Sequence, residues 1–220
     1  DAALFLGVLE GLPAADLRGA SLKGGRFADL QTVARDDLDA TVRAAHDSAL
    51  DRLRAAGAEI VPLEVPALDE AMSLSGVLFT TEAYGLWSDV IEASPDLMFP
   101  PILERFRAGG GVLGADYVAA WAALEQVRMV WDQVTLGFDG VLCPTAPILP
   151  PNMHRLLTED DYYVRANLMA LRNTRIGNLM GLCGLSLPTG TPSCGLQVLG
   201  QPEREAALLR VGAAMERALA

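Results

Sequence analysis

The sequence predicts an α/β fold in which a mixed β-sheet is covered by helices on both faces. Three observations carry that expectation. Stretches with apolar residues at helical spacing alternate along the chain with short apolar runs of strand length. One of them, Asp36 to Val65, is a helix–glycine–strand unit of the kind from which α/β layers are built. And Arg172 to Gly200 reads as a helix feeding two buried strands, with the bend between the strands marked by Pro188, Gly190 and Pro192.

Taken in order, Asp1 to Gly11 reads as a short amphipathic helix closed by a C-cap glycine, and it begins directly at its N-terminal Asp. Residues 12 to 25 are a loop rich in Gly, Pro and polar groups, and Arg26 to Leu30 is a short strand. Asp36 to Ala56 is a helix capped by Asp36 or Asp37, with Leu38, Val42, Ala45, Ala49, Leu50 and Leu53 at helical spacing. Gly57 stops it, and Glu59 to Val65 is a strand in which Pro62 marks an edge or a break. Ala67 to about Ser94 and Pro100 to Ala108 are helical, Gly109–Gly111 is a flexible break, and Ala115 to about Leu136 is a long helix. Phe138 to Pro144 turns into a strand, and Pro147 to Pro151 is a proline-rich loop. Asp160 to Gly181 is helical with an irregularity at Gly177, strands follow at 184–188 and 194–199, and Glu203 to Leu219 closes as an amphipathic helix.

A length of 220 residues allows one full-size domain or two small ones. With 51% hydrophobic and 20% charged residues the chain has ample material for a core and no bias to disorder. Its net charge of −11 argues against nucleic acid or an anionic membrane surface as partner, since both reward Lys and Arg. No apolar run reaches about 18 residues free of Gly, Pro and charge, so no membrane-spanning helix is expected. Cys143, Cys183 and Cys194 form no CxxC pair and have no His at ligand spacing, which speaks against zinc. An odd cysteine count with no signal peptide is that of a cytoplasmic protein.

Two stretches carry a family likeness. Asn178, Leu179, Gly181, Leu182, Pro188 and Gly190, followed by Gly195, Leu196, Gln197 and Gly200, match a pattern Asn-Leu-x-Gly … Pro-x-Gly … Gly-Leu-Gln-x-x-Gly. Residues 138–147 match a second, Asp-Gly-x-x-x-Pro-Thr-x-Pro. In both the chain resembles the amidase-signature hydrolases. The resemblance implies hydrolysis of C–N bonds in small non-peptide amides, with no metal or organic cofactor. It also implies a Lys that carries the proton, a relay Ser on a cis peptide bond, and a nucleophilic Ser in a Gly/Ser-rich loop.

None of those three is evident here. There is no Gly-Ser-Ser-Gly-like loop, Ser73 and Ser75 lie in a helical pattern, and the one lysine, Lys23, sits in a Leu-Lys-Gly turn. The resemblance therefore implies that residues 1–220 are the C-terminal half of a single amidase domain, with the catalytic residues in an N-terminal half absent from these 220. Its partners would be a small amide substrate in the full enzyme, and either that N-terminal half or a dimer mate. A chain of another class, a non-catalytic scaffold that completes its sheet with a second polypeptide, is the alternative.

The remaining candidates are binding residues. Arg175 lies in a small, apolar stretch beside Thr174 and Asn178, and a buried Arg asks for a carboxylate partner or an anionic ligand group. Substrate contact and a structural role at a helix end both account for it. Tyr84, beside Thr81 and Glu82, stands on a helix that shapes the pocket in the family, and a core Tyr is its simpler role. His46 falls on the polar face of its helix between Arg43 and Asp47, as a solvated histidine does. His154 could serve Cys143 as base to a thiol nucleophile, although a cysteine in such an apolar strand ordinarily packs as a small hydrophobe. Glu159, Asp160 and Asp161 are the acidic start of a helix, without the second ligand cluster a metal would need.

Overall fold

In the computed structural model, which describes residues 1–220, nine α-helices and five strands follow one another, with a 3-10 turn at Pro95–Leu97. They are α1 (Ala2–Glu10), β1 (Arg26–Leu30), α2 (Ala40–Ala55), β2 (Glu59–Leu63), α3 (Leu68–Ala93), α4 (Pro100–Gly109) and α5 (Gly114–Thr135). Then come β3 (Gly140–Pro144), α6 (Met153–Thr158), α7 (Asp160–Ala170), α8 (Arg172–Met180), β4 (Cys183–Pro188), β5 (Gly195–Gly200) and α9 (Glu205–Leu219). The expected α/β fold with a mixed sheet is the one observed.

Two compact units divide the chain: residues 1–66 with 133–220, which hold the sheet, and residues 67–132. In the first, the strands lie in the order β2-β1-β3-β5-β4. β1 runs parallel to β2 and β3, because α2 carries the chain back between β1 and β2. β5 is antiparallel to both β3 and β4, the latter pair being joined by a short connection through Gly190 at φ 85°. Alternation along the strands sorts the two faces. Phe27, Leu142, Leu187, Leu196 and Val198 meet Leu50 and Leu53 of α2 and Leu208, Met215 and Leu219 of α9 in one cluster. Gln197 and Leu199 point the other way, toward α8, where a Cβ on Gly177 would lie 3.0 Å from the Leu199 side chain.

In the second unit α3 packs on α4. Gly109 is buried where a Cβ would fall 2.0 Å from the Thr80 carbonyl oxygen, so the glycine triplet is a point of close backbone approach as well as a turn. Arg107 holds Glu92 through two charge-assisted bonds of 2.6 and 2.8 Å, and Tyr84 donates to the same carboxylate at 3.2 Å.

Four local expectations are corrected. The N-cap of α2 is Asp39, whose side chain accepts from Thr41 N at 2.8 Å; Asp36 and Asp37 lie in a preceding turn, with Asp37 at φ 46°. The break in the 160–181 stretch comes at Leu171, between α7 and α8, and Gly177 is regular helix. α6 was not foreseen; its N-cap Asn152 accepts from Arg155 N, a local bond that starts a helix after the proline-rich loop. Finally α1 buries its small face, Ala3 and Gly7, and leaves Leu4, Phe5, Val8 and Leu9 each at least 65% exposed.

Replacing Gly109 by Ala should lower the stability of the second unit by about 1–3 kcal/mol, the usual cost of overpacking. All three tryptophans, Trp87, Trp121 and Trp131, lie in that unit, so urea unfolding followed by tryptophan fluorescence reports on it. An unchanged midpoint would show that α3 and α4 have room to separate.

Candidate functional site

The site is assembled from a row of residues across three strands. Cys143 on β3, Gln197 on β5 and Ser186 on β4 are register partners, and their side chains share the face toward α8. Thr145, just past β3, places its hydroxyl 2.6 Å from that of Ser186. Gly195 permits this pair, since a Cβ there would lie 2.6 Å from Thr145 Oγ1 and 2.9 Å from Ser186 Oγ. Above them runs α8, whose Thr174, Gly177 and Asn178 fall on one side of the helix at helical spacing. Between helix and strands is an open cavity of about 290 Å³, lined by these groups with Leu182, Gly184, Leu185 and Leu199.

What holds α8 in place is Asn173. It is wholly buried, and its Nδ2 donates to Pro144 O at 2.8 Å and to Ala34 O at 3.0 Å. Arg172 beside it donates to Asp36 O at 2.6 Å and to Asn173 Oδ1 at 3.2 Å. Burial lowers the pKa of this guanidinium, and the charges of Asp36 and Asp37 oppose that.

Of the residues expected to bind substrate, Thr174 and Asn178 line the cavity. Arg175 lies half-buried on the adjoining flank of α8, with its backbone N–H bonded to Leu171 O. Tyr84 belongs to the second unit and engages Glu92; partial burial first, and then the Glu92 charge, raise its pKa.

Gln197, Thr145 and Ser186 were quoted in the sequence only as parts of motifs or passed over, and they form the polar floor. Gln197 is 5% exposed, and its Oε1 is enclosed without a hydrogen-bond donor. A glutamine between leucine and valine in a strand of otherwise apolar residues was the available signal.

Three other candidates resolve. His46 is buried, not solvated: its Nε2 lies 2.9 Å from Asp29 Oδ1, and Asp29 also accepts from Arg35 at 2.9 Å and from Gln31 at 2.6 Å. Arg35 reaches on to Asp47. Cys143 is buried while His154 is exposed on α6, and burial, helped by the Asp29 charge, pushes the thiol up to about 12. It therefore remains a neutral core thiol at physiological pH. Glu159 is clamped by Arg155 at 2.8 and 2.9 Å, which lowers its pKa, and Asp160 and Asp161 open α7.

The sequence profile of the amidase family matches residues 10–209. The chain is 30% identical over 187 residues to the 2-amino-5-chloromuconic acid deaminase of Comamonas testosteroni, a match covering 82% of this chain and 40% of that protein. It is 30% identical over 236 residues to an amidase of Pseudomonas putida, covering 99% of this chain and 51% of the relative. A crystal structure of an amidase superposes with a TM-score of 0.79 at 22% identity, across 100% of this chain and 51% of the other. The chain thus spans about half the length of the relatives it matches.

The thiol gives a pH test. Above its ordinary value of 9.0 the unfolded chain releases the Cys143 proton, while the folded chain keeps it until about 12. The unfolded state then binds fewer protons, so stability falls as pH rises across that window. Cys143→Ala should make that fall shallower, by up to about 1.4 kcal/mol per pH unit. Equal slopes in urea unfolding of the two proteins would refute the assignment.

Proposed function

The chain belongs to the amidase family, and on that premise we propose that it forms the C-terminal half of a single amide-hydrolysing domain. The enzyme would cleave C–N bonds of small non-peptide amides in the cytoplasm. A nucleophilic Ser, a relay Ser and a Lys would come from chain outside these 220 residues.

The observation that carries this reading is that the family motifs here build a cavity without building a nucleophile. The Asn178–Gly181 and Gly195–Gly200 motifs supply α8 and β5, the wall and floor of the 290 Å³ cavity. The serines that could be taken for a catalytic pair instead bond to their own helix: Ser73 Oγ to Glu70 O and Ser75 Oγ to Met72 O, both at 2.7 Å. Lys23 is on an exposed turn before β1. Activating a serine needs a base within hydrogen-bond reach, and these residues are not so placed.

In this assignment Thr174 and Asn178 contribute the pocket wall and Arg175 a substrate contact, while Tyr84, in the other unit, is a separate candidate of its own. A guanidinium suits a substrate carrying a carboxylate, and one relative is named for an acid, 2-amino-5-chloromuconic acid. The partner is the other half of the domain or a dimer mate. Two surfaces of the first unit are suited to receive it: β4 has a neighbour on one side only, and α1 presents Leu4, Phe5, Val8 and Leu9. The scaffold alternative draws on the same two surfaces.

The purified 220 residues should show no turnover of simple amides or anilides, because the nucleophile and its base are missing. Turnover that disappears in Ser186→Ala or Cys143→Ala would overturn the reading. Joined to a segment carrying the Ser, Ser and Lys, the chain should yield amide hydrolysis, and continued inactivity would favour the scaffold. In the joined enzyme Arg175→Met should raise KM for acidic amides about 10-fold, the scale of one lost charged hydrogen-bond pair, and leave neutral amides nearly unchanged. Equal losses for both classes would make Arg175 structural.

A further inference from the structure

We propose that α3 carries a homodimer face, on which two copies of this chain pack their α3 helices antiparallel about a twofold axis near residue 81. The face belongs to the second unit, apart from the two surfaces of the first unit assigned to the other half of the domain. It is independent of the amide-hydrolase reading.

α3 is apolar on two sides. One side meets α4: Tyr84 packs on Gly110, and Ile91 is buried. On the other, Gly76, Phe79, Ala83, Leu86 and Val90 recur at intervals of three and four residues, the seam of a helix that packs on a helix. Phe79 is 37%, Leu86 71% and Val90 64% exposed, and Trp87 beside them is 55% exposed. These four side chains present roughly 450 Å² per copy, a patch of the size that marks interaction sites. With their flanks, two copies would bury about 1,400 Å², within the range of stable protein pairs.

The seam is complementary to itself, as a twofold contact requires. Set antiparallel about residue 81, Leu86 falls opposite Gly76 of the second copy, Phe79 opposite its Ala83, and Val90 opposite its Met72. Phe79 and Leu86 thus meet small residues, and the ridges can interdigitate. Gly76 is the hole. It is exposed in the interior of α3, where glycine weakens a helix, and a Cβ there would meet nothing within 4 Å. No contact inside the chain calls for a glycine at this position; the leucine of a second helix does. Trp87, three turns away on the same flank, would close over it. Glu82 and Asp89 border the opposite flank, and Glu82 stands next to the axis, facing its own copy. Like charges at these exposed positions oppose pairing weakly, and salt screens them.

The test is sedimentation equilibrium of the intact 220-residue chain. A monomer–dimer equilibrium with a dissociation constant of about 10 µM or tighter is expected, closing at two copies because the contact is isologous. Gly76→Leu fills the hole without touching anything in the free chain, and leucine is the better helix former. The folded chain should therefore be at least as stable, while the dimer weakens at least about 10-fold. Glu82→Gln should tighten the dimer about 2–5-fold at low salt, and the difference should vanish in about 1 M NaCl. Phe5→Asp, on the exposed face of α1, should leave the dimer unchanged. A chain that stays monomeric up to about 100 µM, or a dimer that Phe5→Asp abolishes and Gly76→Leu spares, would overturn the proposal. So would loss of the dimer when the chain is joined to a segment carrying the Ser, Ser and Lys, an outcome that gives the seam to that segment. None of these outcomes touches the hydrolase reading, which stands or fails in the turnover assays.

Discussion

Asn173 is the constraint on which the site depends. With its amide completely buried, it spends both N–H bonds on carbonyls of two distant segments: Ala34 in the loop after β1 and Pro144 at the end of β3. A polar group at that depth is tolerated only because it is satisfied, and Arg172 beside it also reaches the Ala34 carbonyl, at 3.5 Å. One side chain thus sets the height and rotation of α8 over the sheet. Thr174, Gly177 and Asn178 face the cavity because Asn173 faces the core.

The same loop is held from its other side. Asp29 at the end of β1 accepts from Gln31, Arg35 and His46, and Arg35 continues to Asp47 on α2. A carboxylate 4% exposed would be costly alone; with three donors, one of them a guanidinium, it becomes a clamp that ties the strand end to α2. Residues 31–39 are therefore fixed between two buried polar centres, which makes the unusual backbone at Val33 and Asp37, both at φ 46°, tenable. Burial near this cluster also keeps Cys143 a neutral thiol.

How much of this the chain discloses in advance depends on the range of the interaction. All five strands and the longer helices were legible, since strand length and helical spacing are local properties that packing here does not override. The site was half legible. Thr174 and Asn178 stand out because they sit beside a motif, but Gln197 matters only once Ser186 and Cys143 flank it across the sheet, and register is not written in any one strand. His46 illustrates the same limit. Between Arg43 and Asp47 it looks like part of a polar helix face, and only the return of β1 beneath α2 supplies the Asp29 that makes its burial tolerable.

The motifs themselves are best understood as geometry. In Asn-Leu-x-Gly the glycine, Gly181, takes φ 68° to end α8, and its neighbour Gly177 admits the Leu199 methyl from below. In Gly-Leu-Gln-x-x-Gly, Gly195 leaves room for two hydroxyls and Gly200 for the Cys183 thiol, whose Sγ would be 2.9 Å from a Cβ there. Gly177, Gly195 and Gly200 each remove a methyl where another group must stand. The hollow thus exists because small residues recur along α8, β4 and β5, and its polarity because Gln197 is retained among them. A motif of this kind specifies the shape and hydrogen-bonding of a wall with no nucleophile in it. That is why so strong a likeness can coexist with the absence of a Ser–Lys pair from the same residues.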